Sequence, residues 1–138
     1  MTVKRTAIVA LLAAVALWPL AHRALVARYG IDPWKLGGFA MYATPNLPVL
    51  VAAVGTIASG GTIMIDEATL PVWVRRDLDR FRVERAALGT LRDPEDVGRM
   101  LLAARPDVAS VGILIQRTTL DPATATIRVA TPRYVYTR

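Results

Sequence analysis

The stretch that decides the fold is NLPVLVAAVGTIASGGTIMIDE, residues 46–67. Its long apolar run resembles a second membrane span in composition, but glycines and a serine interrupt it, and its β-branched residues favour strands. Adjacent Gly60 and Gly61 can adopt the positive φ of a tight turn. We therefore predict a β-hairpin with strands near residues 49–57 and 62–65, rather than a second bilayer helix.

The first predicted strand, Val49 to Ile57, is apolar on both of its faces. This pattern is typical of a central strand, or of a strand with one face covered by something outside its own domain. The sequence alone leaves both alternatives open.

Two amphipathic helices are predicted after the hairpin. In residues 70–89 the apolar side chains recur with helical spacing, and Gly89 provides a stop. The second helix begins at Asp93, which can cap it, with Pro94 in its first turn. The stripes that we expect to face the core are Val74, Leu78, Phe81 and Leu88 in the first helix and Val97, Leu101 and Ala104 in the second.

The C-terminal residues 109–138 have the pattern of strands. Val111, Ile113 and Ile115 alternate on one face, and Pro132 interrupts the pairing before a last strand. The element order of the domain is then ββααββ(β). We predict the α+β class: one N-terminal transmembrane helix, followed by a small antiparallel-sheet domain with its helices on one face.

The N-terminal segment contains sixteen consecutive uncharged residues, Thr6–Ala21, after Lys4 and Arg5. A spanning helix needs about 20 residues, so this one must continue to Ala27, with the Arg23 guanidinium reaching the headgroups. A cleaved signal peptide has the same basic start and apolar middle. We favour a retained signal anchor, because the end of the run is a poor match to the small residues that cleavage requires.

These patterns divide the chain into three regions. Residues 1–28 are predicted to form the transmembrane signal-anchor helix, residues 29–45 an interfacial segment rich in aromatics and glycine, and residues 46–138 a small extracytoplasmic α+β domain. Basic residues lie on both sides of the apolar helix, so their count does not decide its orientation. By analogy with signal anchors, we expect a single-pass protein of a bacterial inner membrane, with a cytoplasmic N-terminus and a periplasmic domain.

Five of the nine aromatic residues lie within 25 positions around the end of the apolar helix. Trp and Tyr favour the headgroup layer, whereas plain linkers are polar. The segment GGFAMYATP, residues 37–45, resembles a Phe-x-Met-Tyr stretch that follows the first helix of small bacterial membrane proteins; the resemblance implies no function. The expected interfacial or docking residues, in contact with lipid or protein, are Trp18, Tyr29, Trp34, Phe39, Met41 and Tyr42.

The net charge of +6 does not indicate a nucleic-acid partner. Residues 1–42 contain five basic residues and one acidic residue, whereas residues 43–138 contain twelve and ten. The positive charge thus belongs mainly to the region around the apolar helix, where an anionic lipid surface attracts it. The absence of cysteine excludes disulfides, thiolate nucleophiles and cysteine-bound metals.

The sequence offers no residues on which to base a catalytic site or a metal site. The only histidine, His22, is a candidate axial ligand for haem or chlorophyll, although an interfacial polar residue is the simpler interpretation. Asp66 and Glu67 are candidates for weak cation binding or for a polar exit from the hairpin, and Asp77 and Asp79 for a salt-bridged surface. We expect neither a resident cofactor nor an enzyme.

The sequence favours a non-catalytic accessory or assembly subunit of a larger integral-membrane complex, such as an energy-transducing respiratory or photosynthetic complex. One helix would anchor the subunit, and the domain would cap the complex. The alternative is a membrane-anchored module that binds a soluble peptide or ligand along a sheet edge. Small residues let helices approach closely, and those expected to pack against partner subunits are Ala10, Ala13, Ala14 and Ala16.

Overall fold

The computed structural model of the chain describes residues 2–33, 49–121 and 124–138. A long apolar N-terminal helix precedes an antiparallel sheet domain, so the α+β class is confirmed. The helices are α1 (Thr2–Tyr29), α2 (Val72–Leu88) and α3 (Glu95–Ala104), and the strands are β1 (Leu50–Ile57), β2 (Thr62–Met64), β3 (Val108–Asp121), β4 (Thr126–Ala130) and β5 (Arg133–Thr137). Short 3-10 turns occupy Glu67–Thr69 and Gly89–Leu91.

The sheet is organised around β3, which pairs antiparallel with β1 on one side and with β4 and β5 on the other. Arg117 lies opposite Ala130 in the β4 ladder, and Leu114 lies opposite Arg133 in the β5 ladder, so β4 and β5 keep one register. Proline cannot donate to a ladder, but the Pro132 carbonyl accepts from the Ile115 amide at 3.1 Å. β4 and β5 therefore follow one another along the same side of β3. The interruption between them lies at Pro132, as the sequence predicted.

The stretch of residues 46–67 forms a β-hairpin as far as the structure describes it, from Val49 onwards. Gly60 has a φ of +87°. The Ile57 amide donates a hydrogen bond to the Gly61 carbonyl at 2.9 Å, and this bond closes the turn. The second strand is shorter than predicted: β2 pairs with only Val54, Gly55 and Thr56 of β1. From Val54 to Thr56 the first strand lies between β2 and β3, whereas its first half pairs with β3 alone.

Both domain helices pack on the same side of the sheet. The predicted stripe residues Val74, Leu78 and Phe81 of α2 are buried, as are Val97 and Leu101 of α3. They form one cluster with alternate residues of β3, namely Val111, Ile113 and Ile115. Each such side chain contributes roughly 1.5–3 kcal/mol by leaving water, so this cluster is the main source of the domain's stability.

Side chains from outside the helix form hydrogen bonds with backbone groups at both ends of α3. At its start, the Glu95 amide donates to Asp93 Oδ1 at 2.8 Å, as the sequence predicted for a capping aspartate. At its end, the Arg138 guanidinium donates to the carbonyls of Leu102 at 2.6 Å and Arg105 at 3.0 Å. These carbonyls have no partner within the helix, so Arg138 fastens α3 to the last strand.

The N-terminal helix joins the domain through a contact between two main chains. Gly30 ends α1 with a φ of +63°, and Gly89 ends α2 with a φ of +58°. A Cβ on Gly89 would lie 2.0 Å from the Tyr29 carbonyl oxygen, so a side chain has no room there. The next residues continue the contact: Ile31 is fully buried, and the Asp32 amide donates to the Ala87 carbonyl at 2.9 Å. We call this contact the glycine junction.

A second glycine contact joins α3 to β5. A Cβ on Gly98 would lie 2.1 Å from the ring of Tyr136, so the tyrosine ring rests directly on the helix backbone. Burial is the main cause, and together with the carboxylates of Asp93 and Glu95 it raises the pKa of the Tyr136 phenol to about 12. The neutral phenol is therefore the form that the fold prefers.

Replacement of Gly89 by alanine should destabilise the fold in two ways, through its positive φ and through overlap of the new Cβ with the Tyr29 carbonyl. Gly60→Ala is the matched control, because Gly60 also has a positive φ but no atom lies within 4 Å of its Cβ position. Overlap of atoms typically costs about 1–3 kcal/mol. We expect Gly89→Ala to lower the free energy of unfolding of the full chain by about that much more than Gly60→Ala, measured by circular dichroism in mild detergent. An equal loss in both variants would contradict the junction.

Tyr136 should make the domain sensitive to alkaline pH. Because its folded pKa of about 12 lies above the ordinary value near 10, its stabilising effect is complete below about pH 10 and is lost as pH rises towards 12. In a tyrosinate absorbance titration, the difference between wild type and Tyr136→Phe should appear near pH 12. As the control, wild type and Tyr136→Phe are titrated in denaturant, where the difference in tyrosinate absorbance should appear near pH 10. A native transition near pH 10 would show that the phenol is not buried.

Candidate interaction surfaces

The helix α1 presents apolar side chains to its surroundings along most of its length. Residues 4–21 are exposed, including Leu11 at 65% and Leu20 at 67%. The section Lys4–Tyr29 is long and apolar enough to cross a membrane, although a signal sequence has the same features. Over 26 residues it extends about 39 Å, which exceeds a hydrocarbon core of about 30 Å.

The four alanines that were predicted to pack against partner helices lie on one broad side of α1. At about 100° per residue, Ala13 lies about 60° from both Ala10 and Ala16, and Ala14 lies about 40° beyond Ala10, so together they span about 160°. All four are exposed. A helix that approaches this side near Ala10 and Ala13 would have Ala14 and Ala16 at the two margins of the contact.

The predicted interfacial aromatics do not share one level of α1. Trp18 and Tyr29 are eleven residues apart, which is about 16 Å along the helix axis. A headgroup layer that contains Tyr29 would therefore leave Trp18 within the hydrocarbon. The predicted interfacial segment, residues 29–45, is described as far as Pro33, and Trp34, Phe39, Met41 and Tyr42 lie outside the described residues.

His22 is buried on a helix whose other side chains are largely exposed. Its exposure is 6%, and its ring centroid lies 6.1 Å from that of Trp18, with the planes tilted by 36°. The sequence predicted an interfacial polar residue or an axial ligand and gave no signal for this burial. Among the described residues, no group of three or more His, Cys, Asp or Glu side chains is placed to hold a metal ion.

The side of the sheet opposite the helices carries exposed apolar side chains together with uncharged polar ones such as Thr62 and Gln116. In an antiparallel ladder, paired residues project on the same side, so the ladders group the even-numbered residues of β1, β2 and the first part of β3 with the odd-numbered residues of β5. Leu50, Met64 and Val135 are 61%, 67% and 55% exposed on this side. We call this side the open face, and its central apolar residues, all half-buried, are Ala52, Val54 and Leu114.

The open face continues along a two-stranded arm, defined as Arg117–Asp121 of β3 paired with Thr126–Ala130 of β4. β1 pairs with β3 only as far as Gln116, so the arm extends past the end of the sheet. Leu120 lies opposite Ile127, and Thr118 lies opposite Val129 on the same side as Leu120. These apolar side chains are 43% to 67% exposed. Among the paired strand residues described here, Arg133 is the only charged one on the combined face.

Along the sheet edge beside the first half of β1, backbone carbonyls already accept hydrogen bonds from other parts of the domain. The Val51 carbonyl accepts from the Arg82 guanidinium at 3.3 Å, and the Ala53 carbonyl accepts from the Ile65 amide at 3.0 Å. A peptide that added a strand here would have to displace both bonds. This edge therefore gives no support to the predicted capture of a soluble peptide.

The carboxylates considered for cation binding have structural partners. Asp66 Oδ1 accepts from the Ala68 amide at 2.9 Å and caps the short turn after β2. Glu67 pairs with Arg82, which also pairs with Asp79 at 2.9 Å. The hydrogen bond to Glu67 is the largest cause of the raised pKa of the Arg82 guanidinium. A polar exit from the hairpin accounts for these groups without a bound ion.

The arginine-rich surface of α2 is balanced by acids of the same chain. Glu84 accepts from Arg80 at 2.7 Å and from Arg92 at 2.8 Å, and these two bonds, the first being the stronger cause, lower the pKa of its carboxyl. The Arg92 guanidinium also lies 5.4 Å from the ring centroid of Phe81. These arginines are engaged within the fold, so they offer little to an acidic partner.

A cavity of about 320 Å³ lies beside the glycine junction, between α2 and the sheet. Its wall combines apolar side chains such as Val49 and Ile115 with the guanidinium groups of Arg85 and Arg117. Arg85 is only 6% exposed, and it continues the inner stripe of α2 one turn after Phe81. This cavity has no signal in the sequence, because the residues that form it are distant in the chain.

Comparisons with known protein families, curated proteins and solved structures find no match for this chain. The surfaces that can bind a partner are the exposed helix α1, the open face with its arm, and the basic cavity. The first two are apolar and suit contact with lipid or protein. The third is positively charged and suits an anion.

The turn of the arm contains one strained residue. Ala125 has a φ of +51°, which costs roughly 1 kcal/mol for a residue other than glycine, and asparagine adopts this conformation more readily. Ala125→Asn should therefore slow amide hydrogen exchange in Thr126–Ala130 by up to about fivefold, with little change in global stability. Ala103→Asn, at an exposed position of α3, is the control. Unchanged or faster exchange in β4 would contradict the assigned turn.

Proposed function

We propose that this protein is a non-catalytic accessory or assembly subunit of an integral-membrane complex. In this proposal α1 anchors the chain in the bilayer, and the open face and its arm bind a subunit of the complex outside the membrane. The open face is the observation that carries the proposal. Isolated exposed apolar residues are normal, but a contiguous apolar surface of this kind is typical of an interface.

The composition of the open face indicates the chemistry of its partner. The exposed apolar residues of the open face and its arm come from five strands, and Arg133 is the one charge found among the paired strand residues that the structure describes there. Depletion of charge is a property of interface cores, where an unpaired charge is expensive to desolvate. The expected partner is therefore an apolar, largely uncharged surface of a membrane-complex subunit, and not an acidic protein or a nucleic acid.

The glycine junction joins the C-terminal end of the proposed anchor directly to the domain. The carbonyls of Tyr29 and Gly30 accept hydrogen bonds from Thr90 at 3.2 Å and Arg117 at 2.8 Å, and Ile31 is fully buried in the domain. A cleavage at or after Tyr29 would expose or unpair these groups, whereas a cleavage further upstream would leave them in place. The domain thus includes the last turn of α1.

The proposed location is a bacterial inner membrane, with the N-terminus in the cytoplasm and the domain in the periplasm. The basic residues Lys4 and Arg5 before the apolar run are consistent with this orientation, as in signal anchors. The exposed face of Ala10, Ala13 and Ala14 is available to a helix of the complex. Respiratory and photosynthetic complexes are the classes that we consider first.

A photo-crosslinking experiment tests the proposed interface in intact membranes. A photoreactive amino acid replaces Val135 on the open face, and in a matched protein it replaces Val83, which is 71% exposed on α2. We expect a specific crosslink to an integral-membrane subunit from position 135 and none from position 83. Leu50→Lys combined with Ile127→Lys should reduce this crosslink at least tenfold without unfolding the domain, because both residues are exposed.

Two outcomes would contradict the proposal. One is equal crosslinking from positions 83 and 135, which would mean that the open face has no preferred partner. The other is a crosslink from position 135 to soluble proteins alone, which would favour the membrane-anchored binding module. Alkaline extraction of the membranes supplies the control for anchoring, since a protein held only by peripheral contacts is released.

A further inference from the structure

We propose that the cavity beside the glycine junction binds the phosphate of an anionic membrane lipid. This inference rests on the proposed membrane anchoring of α1, and it adds a ligand site to that function. The cavity contains two guanidinium groups, and its described wall includes no carboxylate. A concave site with this charge attracts an anion.

Arg85 provides the buried positive charge. It is 6% exposed, and its two hydrogen-bond partners are neutral: Nη1 donates to the Arg92 carbonyl at 2.6 Å, and Nη2 donates to the Tyr134 hydroxyl at 3.2 Å. Its guanidinium carbon lies 5.9 Å from the Tyr134 ring centroid. Buried charges are generally paired, and a guanidinium has five donors, so these contacts leave capacity for an anion.

Arg117 and Tyr134 complete the polar side of the cavity. Arg117 Nη2 donates to the Gly30 carbonyl at 2.8 Å, which holds the guanidinium at the wall next to the end of α1. The Tyr134 hydroxyl accepts a hydrogen bond from Arg85, so its own proton points away from Arg85 and is available to donate to a ligand. Two guanidinium groups and one hydroxyl form the donor set that a phosphate with several acceptor oxygens requires.

The position of the cavity selects lipid phosphate as the ligand. Gly89 and Thr90 line the cavity and contact the carbonyls of Tyr29 and Gly30, so the cavity begins where α1 ends. The end of a spanning helix lies in the headgroup layer, where phosphates are concentrated. The apolar part of the wall, which includes Ala86, Ala130 and Pro132, suits the glycerol and the first carbons of the lipid. A volume of about 320 Å³ accommodates a headgroup rather than acyl chains.

The test uses the full-length protein in nanodiscs that contain equal amounts of phosphatidylglycerol and phosphatidylcholine, followed by native mass spectrometry. Wild type should retain phosphatidylglycerol in preference to phosphatidylcholine. Arg117→Gln should reduce this retention about tenfold, as expected for loss of one charge-assisted hydrogen bond. Arg76→Gln is the matched control, because Arg76 is exposed on α2 away from the cavity and the substitution removes the same charge. Arg85→Gln should have a larger effect, and Arg117→Gln decides the result if Arg85→Gln fails to fold.

Inorganic phosphate is the second probe and distinguishes the two sources of this anion. Millimolar phosphate should leave the bound phosphatidylglycerol in place. Displacement of the lipid by phosphate would overturn the lipid assignment in favour of a free-anion site. Equal retention of both lipids, or equal losses in Arg117→Gln and Arg76→Gln, would overturn the site itself.

A crosslinking control separates this inference from the proposed function. The Arg117→Gln protein should still crosslink to its partner through position 135, because Arg117 projects on the side of the sheet opposite the open face. Loss of lipid with retained crosslinking supports both proposals. Loss of crosslinking in wild type, with lipid retention intact, would contradict the interface alone.

Discussion

The pairing of β3 with three other strands is the constraint on which the other features of the domain depend. Its odd-numbered residues Val111, Ile113 and Ile115 bury against the helices, so its even-numbered residues must project on the other side. The same strand then passes the end of the sheet and becomes one half of the arm. A one-residue slip of this strand would exchange the core and the open face.

The open face explains a property of β1 that the sequence left ambiguous. A strand that is apolar on both faces is either central or covered from outside, and the structure places only Val54–Thr56 of β1 between two strands while leaving Leu50 61% exposed. The central position alone does not account for that exposed side chain. A partner surface over the open face would satisfy both alternatives at once, with the helices covering one side of β1 and the partner covering the other.

The sequence predicted those parts of the fold that depend on local periodicity. The buried stripes of α2 and α3, the capping role of Asp93 and the interruption at Pro132 all follow from the order of neighbouring residues. The sequence did not predict features that depend on distant segments. Helical spacing places Arg85 on the inner stripe of α2, one turn after Phe81, but a search for apolar residues passes over a charged one. Arg85 is buried there because the Arg92 carbonyl and the Tyr134 hydroxyl accept its hydrogen bonds.

The glycine junction determines where helix α1 ends and the sheet domain begins. Because Gly89 contacts the carbonyls of Tyr29 and Gly30 directly, the two main chains, rather than side chains, set the position of α1 on the domain. The last turn of α1 thus belongs structurally to the domain, although its sequence continues the apolar helix. A chimera that gives this domain a foreign anchor must therefore be joined upstream of Tyr29, within the helix, and not at the residue where the apolar run stops.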